Sequence, residues 1–190
     1  MIIGIKEKDR VVLAYSSFDG FSPVNVADLA NAENLGLWKI KGNPHTVMGC
    51  VFPSAESDAF RYEEGMFKGE INYDKLADEI IPAMEDFAKD KEYIGDDKGR
   101  YDEFLIAQKG RLFQITAEHI ITEIDSTVAT STSGRCEDIA QSILYATQGE
   151  PTIDRIKKAF GFAACEVQYN PYPISVIDTQ TGKVLTLTKE

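Results

Sequence analysis

The sequence predicts an α+β protein in which two stacked antiparallel sheets lie between outer layers of helices, a four-layer sandwich. Two observations predict this fold class. Strand patterns follow one another through short turns, and helix patterns come as pairs between blocks of strands. A chain of 190 residues with 43% hydrophobic content is sufficient for a substantial core in one domain, residues 1–190.

Two hairpin patterns come first along the chain. In "MIIGIKEKDRVVLAYSS", a β-branched run at residues 2–5 and an apolar run at residues 11–14 flank a polar turn, which predicts an antiparallel strand pair. The stretches "LGLWKI" and "HTVMGCVF" flank the turn formers of "KGNP" and predict a second hairpin. Between the hairpins, residues 18–34 are patterned only weakly, with a turn or two of helix beginning near Asn25.

The next two segments have helical spacing. "SAESDAFRYEEGMF" begins with a serine suited to capping, Ser54, and ends around Gly65 to Gly69. In "NYDKLADEIIPAMEDFAKDK" an Asn72 cap precedes an apolar stripe, and Pro82 is placed to kink the helix. The stripe consists of Leu76, Ile80, Met84 and Phe87.

The second half repeats the order of strands and then helices. "DEFLIAQKGRLFQIT" predicts a hairpin about a Lys109-Gly110 turn, and "EHIITEI" predicts a third strand. After the hydroxyl-rich "TVATSTSGR", one helix has a predicted buried face, and "TIDRIKKAFGFAAC" is predicted to begin at a Thr152 cap. The strands "PISVID" and "KVLTLT" follow, about the turn "TQTG". The buried face of the first of these helices is Ile139, Ile143, Leu144 and Ala146.

Charge and cysteine content exclude several classes of protein. Thirty-one acidic against twenty basic residues give a net charge of −11, which opposes binding to nucleic acid or to an anionic membrane surface. Cys50, Cys136 and Cys165 are too widely spaced to indicate a disulfide framework or a zinc site. Because no apolar run is long enough to span a membrane and no secretory leader precedes the first strand, we expect a cytoplasmic protein.

The residues that carry chemistry form no metal or cofactor motif, so neither a metal nor a cofactor is predicted. His45 and His119 lie in strand candidates without a second ligand at metal-binding spacing, and "GDDKGRYDE", which ends at Glu103, lacks the ligand pattern of a calcium loop. Phosphate-binding glycine motifs and the nucleophile elbow are absent from the sequence. A helix starting at Ser133 or Gly134 has N–H groups for an anion, although capping by the serine and threonine side chains is favoured.

Several stretches together resemble one family. "IIGIKEKDRVVLAYS" resembles the first hairpin of proteasome β-subunits and of their bacterial two-ring relatives, the peptidase partners of ATP-dependent unfoldases. "LWKI", "FLIAQKGRLFQI", "TSTSG" and "GEPTIDRIKKAFGFAAC" resemble later segments of the same proteins, in the same order. The resemblance implies the αββα sandwich of the N-terminal nucleophile hydrolases and self-assembly into stacked rings. An unfoldase partner is implied for the family and unknown for this chain.

The family's activity depends on a terminal threonine, whose hydroxyl is the nucleophile and whose own amino group acts as the base. The resemblance pairs Met1 with the residue after that threonine, so the nucleophile has no counterpart, and removal of the initiator methionine would expose Ile2. The family's acidic residue falls on Ser16, and its lysine falls on Gly36. Lys39 points to the other face of that strand. The hydroxyl before the third helix falls on Thr132.

A further acidic position of the family falls near Glu166 and Val167. Since nucleophile, acid and lysine are missing together, the leading hypothesis is a proteasome-like protein that is inactive as a threonine peptidase and serves assembly, binding or regulation. This includes the version in which the chain joins an active partner as a non-catalytic subunit.

The alternative is an amide or peptide hydrolase with a different nucleophile. The candidates for that nucleophile are Ser16, Ser17, Cys50 and Thr132, or a new terminal residue that internal cleavage of the chain would expose. Neither histidine can be placed beside a serine from the sequence, so no base is identified for this alternative.

Overall fold

The computed structural model describes residues 1–16, 36–40, 42–43, 45–51, 65–90, 103–131 and 133–189. Five sequence predictions lie outside these residues or their described side chains. They concern Ser17, the helical turn near Asn25, the helix after Ser54, the side chain of Phe87 and the hydroxyl of Thr132.

Within the described residues, the chain forms ten strands and four α-helical segments. The strands are β1 (Ile2–Glu7), β2 (Arg10–Tyr15), β3 (Leu37–Lys39), β4 (Thr46–Cys50), β5 (Phe104–Gln108), β6 (Arg111–Ile115), β7 (Ile121–Glu123), β8 (Thr127–Thr130), β9 (Ile174–Asp178) and β10 (Val184–Leu187). The helices are α1 (Tyr73–Lys75), α2 (Ile81–Asp90), α3 (Gly134–Ala146) and α4 (Thr152–Glu166). A π-helical turn at Leu76–Ile80 joins α1 to α2, and we call the three together helix 73–90.

In the described part of the chain, these strands form two five-stranded sheets whose neighbouring strands are all antiparallel. The first sheet has the order β10-β9-β2-β1-β8 and the second has the order β3-β4-β5-β6-β7. The second sheet therefore keeps the chain order, whereas the first joins early strands to late ones. The predicted class of α+β protein with two antiparallel sheets is confirmed.

Three layers of buried side chains separate four layers of structure. Alternation along β1 sends Ile3 and Ile5 to a core shared with α3 and α4, and sends Ile2 to a core between the two sheets. The third core lies between the second sheet and helix 73–90, where Leu76 and Met84 are fully buried. The order of layers is therefore helices, first sheet, second sheet and helix.

The π-helical turn lies immediately before Pro82. Asn72 caps the helix start by accepting a hydrogen bond from the Lys75 backbone N–H at 2.8 Å. The Ile81 N–H bonds to the Leu76 carbonyl, which is one residue wider than an α-helical bond. Pro82 has no N–H and its ring crowds the preceding turn, so a widened turn at this point accommodates it. The helix therefore departs from α-helical hydrogen bonding next to Pro82, where the sequence predicts a kink.

One end of the sandwich is closed by ion pairs, and we call it the Glu7 end. The Glu7 carboxylate accepts hydrogen bonds from the Arg10 guanidinium at 2.6 and 2.8 Å and from the Thr152 hydroxyl. Arg10 also donates to Asp178 at 3.1 Å. Burial alone would raise the pKa of Glu7, but the hydrogen bonds from Thr152 and Arg10 outweigh it, and the pKa lies below its usual value.

The Thr152 hydroxyl therefore binds Glu7 across the layer boundary, and the residue in the capping position of α4 is Pro151, so the predicted Thr152 cap is wrong. The Pro151 carbonyl accepts the Asp154 N–H at 2.9 Å and the Arg155 N–H at 3.1 Å, so backbone hydrogen bonds begin the helix without a capping hydroxyl.

Three other details differ from the sequence predictions. "TVAT" forms β8, because it pairs with β1 and its side chains are buried there. His45 and His119 lie in turns, and His119 has a positive φ of 60° that a strand residue does not adopt. Ala146 is exposed on α3, whose buried positions are Cys136, Ala140 and Leu144.

Candidate functional site

The positions that the resemblance assigns to the family's catalytic groups lie at the end of the sandwich opposite the Glu7 end. There β1 begins beside the ends of β2 and β8, with Ile2 paired to Tyr15 on one side and to Thr130 on the other. On the second sheet, β3 and β5 begin at this end and β4 ends there. We call it the Ile2 end.

Met1 and Ile2 are both fully buried at the Ile2 end. The Met1 backbone nitrogen donates to the Ser16 carbonyl at 2.9 Å, and the Ser16 N–H donates to the Met1 carbonyl at 3.1 Å, which extends the pairing of β1 with β2. The Met1 side chain belongs to the core beneath α3 and α4, and Ile2 packs between the sheets against Gly49. Both residues therefore serve the core.

Ser16 stands where the resemblance places the family's acidic residue. Its side chain is buried, and its hydroxyl donates to the Pro171 carbonyl at 2.6 Å. A carbonyl oxygen cannot remove the hydroxyl proton, so this bond holds the serine without activating it as a nucleophile.

Gly36 stands where the resemblance places the family's lysine, and the ring of Tyr15 covers it. A Cβ atom added to Gly36 would lie 2.3 Å from Cε2 and 2.6 Å from Cζ of the Tyr15 ring. Real side chains do not approach this closely, so the position excludes every residue larger than glycine while the ring is in place. The Gly36 carbonyl accepts a hydrogen bond from the Cys50 N–H at 2.8 Å, which fixes the backbone at this spot.

The other candidate nucleophiles are separated from this point. Cys50 is fully buried and faces the core under helix 73–90, whereas Ile2 and Tyr15 face the core between the sheets. Ser17 and Thr132 lie outside the described residues. Glu166, near the family's later acidic position, forms a salt bridge of 2.9 Å with Arg135. The structure thus brings Met1, Ile2, Ser16 and Gly36 to one end and places the Cys50 side chain on another face.

Two glutamates at the Ile2 end have unusual environments, and sequence reasoning missed both. Glu103 precedes β5, and its carboxylate accepts a hydrogen bond from the Thr130 hydroxyl at the end of β8. Burial first, and then the negative charges of Glu137 and Glu118, raise the pKa of Glu103 to about 7. Burial also raises the pKa of Glu137, although its carboxylate accepts the Ser131 N–H at 3.1 Å. No spacing in the sequence links these two carboxylates.

The start of α3 and the metal-ligating residue types were the sequence's candidates for ion binding. The Ser133 hydroxyl caps α3 by accepting the Cys136 N–H at 3.5 Å, which agrees with the favoured capping interpretation. Among the described residues, no group of three histidine, cysteine or acidic side chains could hold a metal ion. No helix in the described ranges is long and apolar enough to cross a membrane.

Comparison with known proteins finds similarity in structure alone. No protein-family model matches the chain. No curated protein matches it either. Similar solved structures include BPH from Thiobacillus denitrificans, at 14% identity and TM-score 0.67 over 100% of both chains. BPH is also solved in complex with epoxomicin, at 16% identity, TM-score 0.67 and 99% coverage of both chains.

Two further similar structures come from other organisms. Eukaryotic HslV from Trypanosoma brucei is 16% identical with a TM-score of 0.60, over 93% of this chain and 97% of that one. Anbu, described as an ancestral beta-subunit, from Yersinia bercovieri is 14% identical with a TM-score of 0.60, over 100% of this chain and 87% of that one. These likenesses cover the whole sandwich, so the chain has the proteasome-like fold that the sequence resemblance implied.

Proposed function

We propose that this chain is a proteasome-like protein without threonine peptidase activity, which acts through assembly, binding or regulation. The observation that carries the proposal is the Tyr15 ring over Gly36. A lysine at that position would have to displace an aromatic ring that is itself buried in the core between the sheets. At Gly36, the position that the resemblance assigns to the family's lysine, there is therefore no cation and no space for one.

One hydrogen bond and the burial of three residues support the same proposal. Ser16 has no carboxylate, and its hydroxyl is bound to the Pro171 carbonyl. Met1, at the position after the family's nucleophile, is a buried core residue. Ser16 and Cys50 are 2% and 0% exposed, which opposes attack on a substrate by either. The remaining candidates for a hydrolase with another nucleophile are Ser17, Thr132 and a terminal residue exposed by internal cleavage.

Assembly is the role that the proposal favours, with the chain as one domain in a cytoplasmic ring or other homo-oligomer. Two considerations support it: the likeness to proteasome-like proteins covers the full chain, and the strands and cores of that fold are retained while the groups of the site are not. No nucleic acid or membrane is expected among the partners, because the net charge is −11.

The first experiment tests for activity. The purified full chain is incubated with a panel of fluorogenic peptides and, separately, with epoxomicin, and its intact mass is measured before and after. BPH, which binds epoxomicin, is the positive control. We expect no turnover and no mass increase. A threonine exposed at the amino terminus by processing, or turnover that survives purification, would contradict the proposal.

Two variants test whether any turnover comes from a different nucleophile of this chain or from a contaminating hydrolase. If turnover is found, Ser17→Ala or Thr132→Ala removes it when either residue is the nucleophile, whereas Ser142→Ala, at an exposed position on α3, leaves it unchanged. For the assembly role, light scattering at micromolar concentration is expected to give a mass above that of the 21.1 kDa monomer. A monomer at every concentration would contradict assembly.

A further inference from the structure

The outer surface of the helix pair α3 and α4 carries most of the exposed large apolar side chains of the described residues. Seven such side chains are exposed, and four of them lie on α3, on α4 or in the three residues that follow α4. These four are Tyr145, Phe162, Val167 and Tyr169, and we call the surface that they mark the α3–α4 face. Single exposed apolar residues are common, but their concentration on one face indicates contact with another protein.

The two helices form one preformed surface. At one end of the pair, Arg135 forms a salt bridge of 2.9 Å with Glu166, and at the other end the Arg155 guanidinium donates to the Leu144 carbonyl at 2.8 Å. These contacts join the start of α3 to the end of α4 and the end of α3 to the start of α4. A surface that is already fixed in the monomer loses little conformational entropy when a partner binds to it.

Net charge separates this face from the other helical layer. The segment 134–166 contains four basic and five acidic residues, a formal charge of −1. Helix 73–90 contains two basic and six acidic residues, a formal charge of −4. Because the whole chain carries −11, two copies repel each other, and the repulsion is smallest where the charges of the facing surfaces nearly cancel.

A second copy of this chain is the partner that suits the α3–α4 face. A basic partner would be attracted to the acidic helix 73–90, whereas a partner that itself carries −11 needs a surface that is apolar and nearly neutral. We propose that the α3–α4 face is a two-fold interface through which two copies of this chain pair. This inference rests on the assembly role proposed above, and it names the surface that carries that role.

The size of the face sets the strength expected of the contact. α3 has 13 residues and α4 has 15, so each helix is roughly 20 Å long and the pair presents roughly 400 Å² in projection. A standard interface buries about 800 Å² on each partner, so this contact belongs to the smaller specific interfaces. We therefore expect pairing with a dissociation constant in the micromolar range.

The first test is the molar mass of the full chain by light scattering, from about 1 to about 100 μM protein. A two-fold contact joins copies in pairs, so Phe162→Glu is expected to halve the mass of the wild-type assembly. Tyr145→Glu is expected to do the same. Both side chains are more than half exposed, so neither change disturbs the core, and thermal melts check that the variants are folded. Tyr73→Glu, on helix 73–90 and 54% exposed, is the matched control and is expected to keep the wild-type mass.

The outcomes separate this inference from the assembly role on which it rests. A wild-type oligomer whose mass is unchanged by Phe162→Glu and Tyr145→Glu would overturn the α3–α4 interface and leave assembly through another surface. A wild-type monomer at every concentration would overturn both.

Cys165 gives a local measurement on the same face. It lies on α4 and is exposed, whereas Cys50 and Cys136 are buried. Pairing should cover Cys165, so we expect its reaction with an excess of a thiol reagent to slow at least about threefold between about 1 and about 100 μM wild-type protein. In Phe162→Glu the rate is expected to be the same at both concentrations. A wild-type rate that is constant while the mass rises would place the contact on another surface and contradict the proposal.

Discussion

The two ends of the sandwich use the same pair of residue types with opposite electrostatic results. At the Glu7 end, the Thr152 hydroxyl donates to Glu7, and at the Ile2 end, the Thr130 hydroxyl donates to Glu103. The bond at the Glu7 end joins β1 to α4, and the bond at the Ile2 end joins β8 to the residue before β5. The pKa of Glu7 lies below its usual value, whereas that of Glu103 is raised to about 7.

The two ends differ in the charged residues that accompany the glutamate and the threonine. Burial acts on both glutamates in the same direction, and it raises the pKa of each. Arg10 adds a cation and two hydrogen bonds at the Glu7 end, while Glu137 and Glu118 add negative charge at the Ile2 end. At Glu7 the hydrogen bonds from Thr152 and Arg10 outweigh the effect of burial on the pKa, whereas at Glu103 burial and the neighbouring negative charges raise the pKa together.

The largest effect is expected at the Ile2 end, where close packing leaves no space at Gly36. Gly36→Ala places a methyl group against the Tyr15 ring, and we expect it to lower the free energy of unfolding by about 3 kcal/mol. The measurement is urea denaturation. Gly161→Ala in α4, where a Cβ meets nothing within 4 Å, is the matched control and is expected to be neutral or stabilising.

A double variant checks the cause of that loss. In a Tyr15→Ala background, the cost of Gly36→Ala is expected to fall below about 1 kcal/mol, because the ring that causes the clash is gone. The same cost in both backgrounds would show that the ring is not what excludes a side chain from Gly36.

At the Glu7 end, replacing Arg10 removes the cation beside Glu7, so neither glutamate would then have a neighbouring arginine as a hydrogen-bond donor. We expect Arg10→Met to cost about 1 kcal/mol at pH 7, since the ion pair is partly exposed. The folded pKa of Glu7 lies below the unfolded value, so its stabilisation is present above the unfolded pKa and is lost as pH falls through the folded pKa. Thermal melts at pH 7 and pH 3.5 should therefore differ less in Arg10→Met than in the wild type; an unchanged difference would contradict this role.

The pH dependence at the Ile2 end should have the opposite sign. The folded pKa of Glu103 lies above the unfolded value, so its contribution is fully present below the unfolded pKa and is lost as pH rises through about 7. Glu103→Gln is expected to melt higher relative to the wild type at pH 8 than at pH 5, by a few degrees. Thermal unfolding of both proteins across this range is the measurement, and a difference that is constant with pH would refute the assignment.

The smallest effect concerns the neighbour of Glu103. Glu137→Gln removes one facing negative charge while its amide oxygen can still accept the Ser131 N–H. We expect the titration midpoint of Glu103 to fall by a few tenths of a pH unit in carboxyl NMR. Asp154→Asn, on the first turn of α4, is the control and should leave the midpoint where it is. A midpoint that rises would reverse the sign assigned to this neighbour.

The sequence predicted the strands and layers well because those signals are local. The alternation in β1 and β2 and the turn at Lys109-Gly110 are short-range patterns, and each is confirmed. β8 was missed because "TVAT" contains few large apolar side chains, although β1 covers it in the fold. A strand whose burial depends on a distant partner has a weak pattern of its own.

The site was predicted less completely, for the same physical reason. The resemblance located Met1, Ile2, Ser16 and Gly36, and they do meet at one end. That Tyr15 covers Gly36 depends on the contact of two sheets, which no spacing along the chain expresses. Side-chain contacts across layers, such as Thr130 with Glu103, likewise appear only once the layers are stacked.

The strand order also determines when each strand pair can form during synthesis of the chain. The second sheet uses consecutive strands, so its pairings can form as the chain emerges. In the first sheet, β2 has β9 as its outer neighbour, with Tyr15 opposite Ser175. Until residues 174–178 are made, that edge of β2 has no strand beside it, and an open strand edge is a site for pairing with other chains. Nascent chains halted before residue 174 should therefore be the most prone to aggregate.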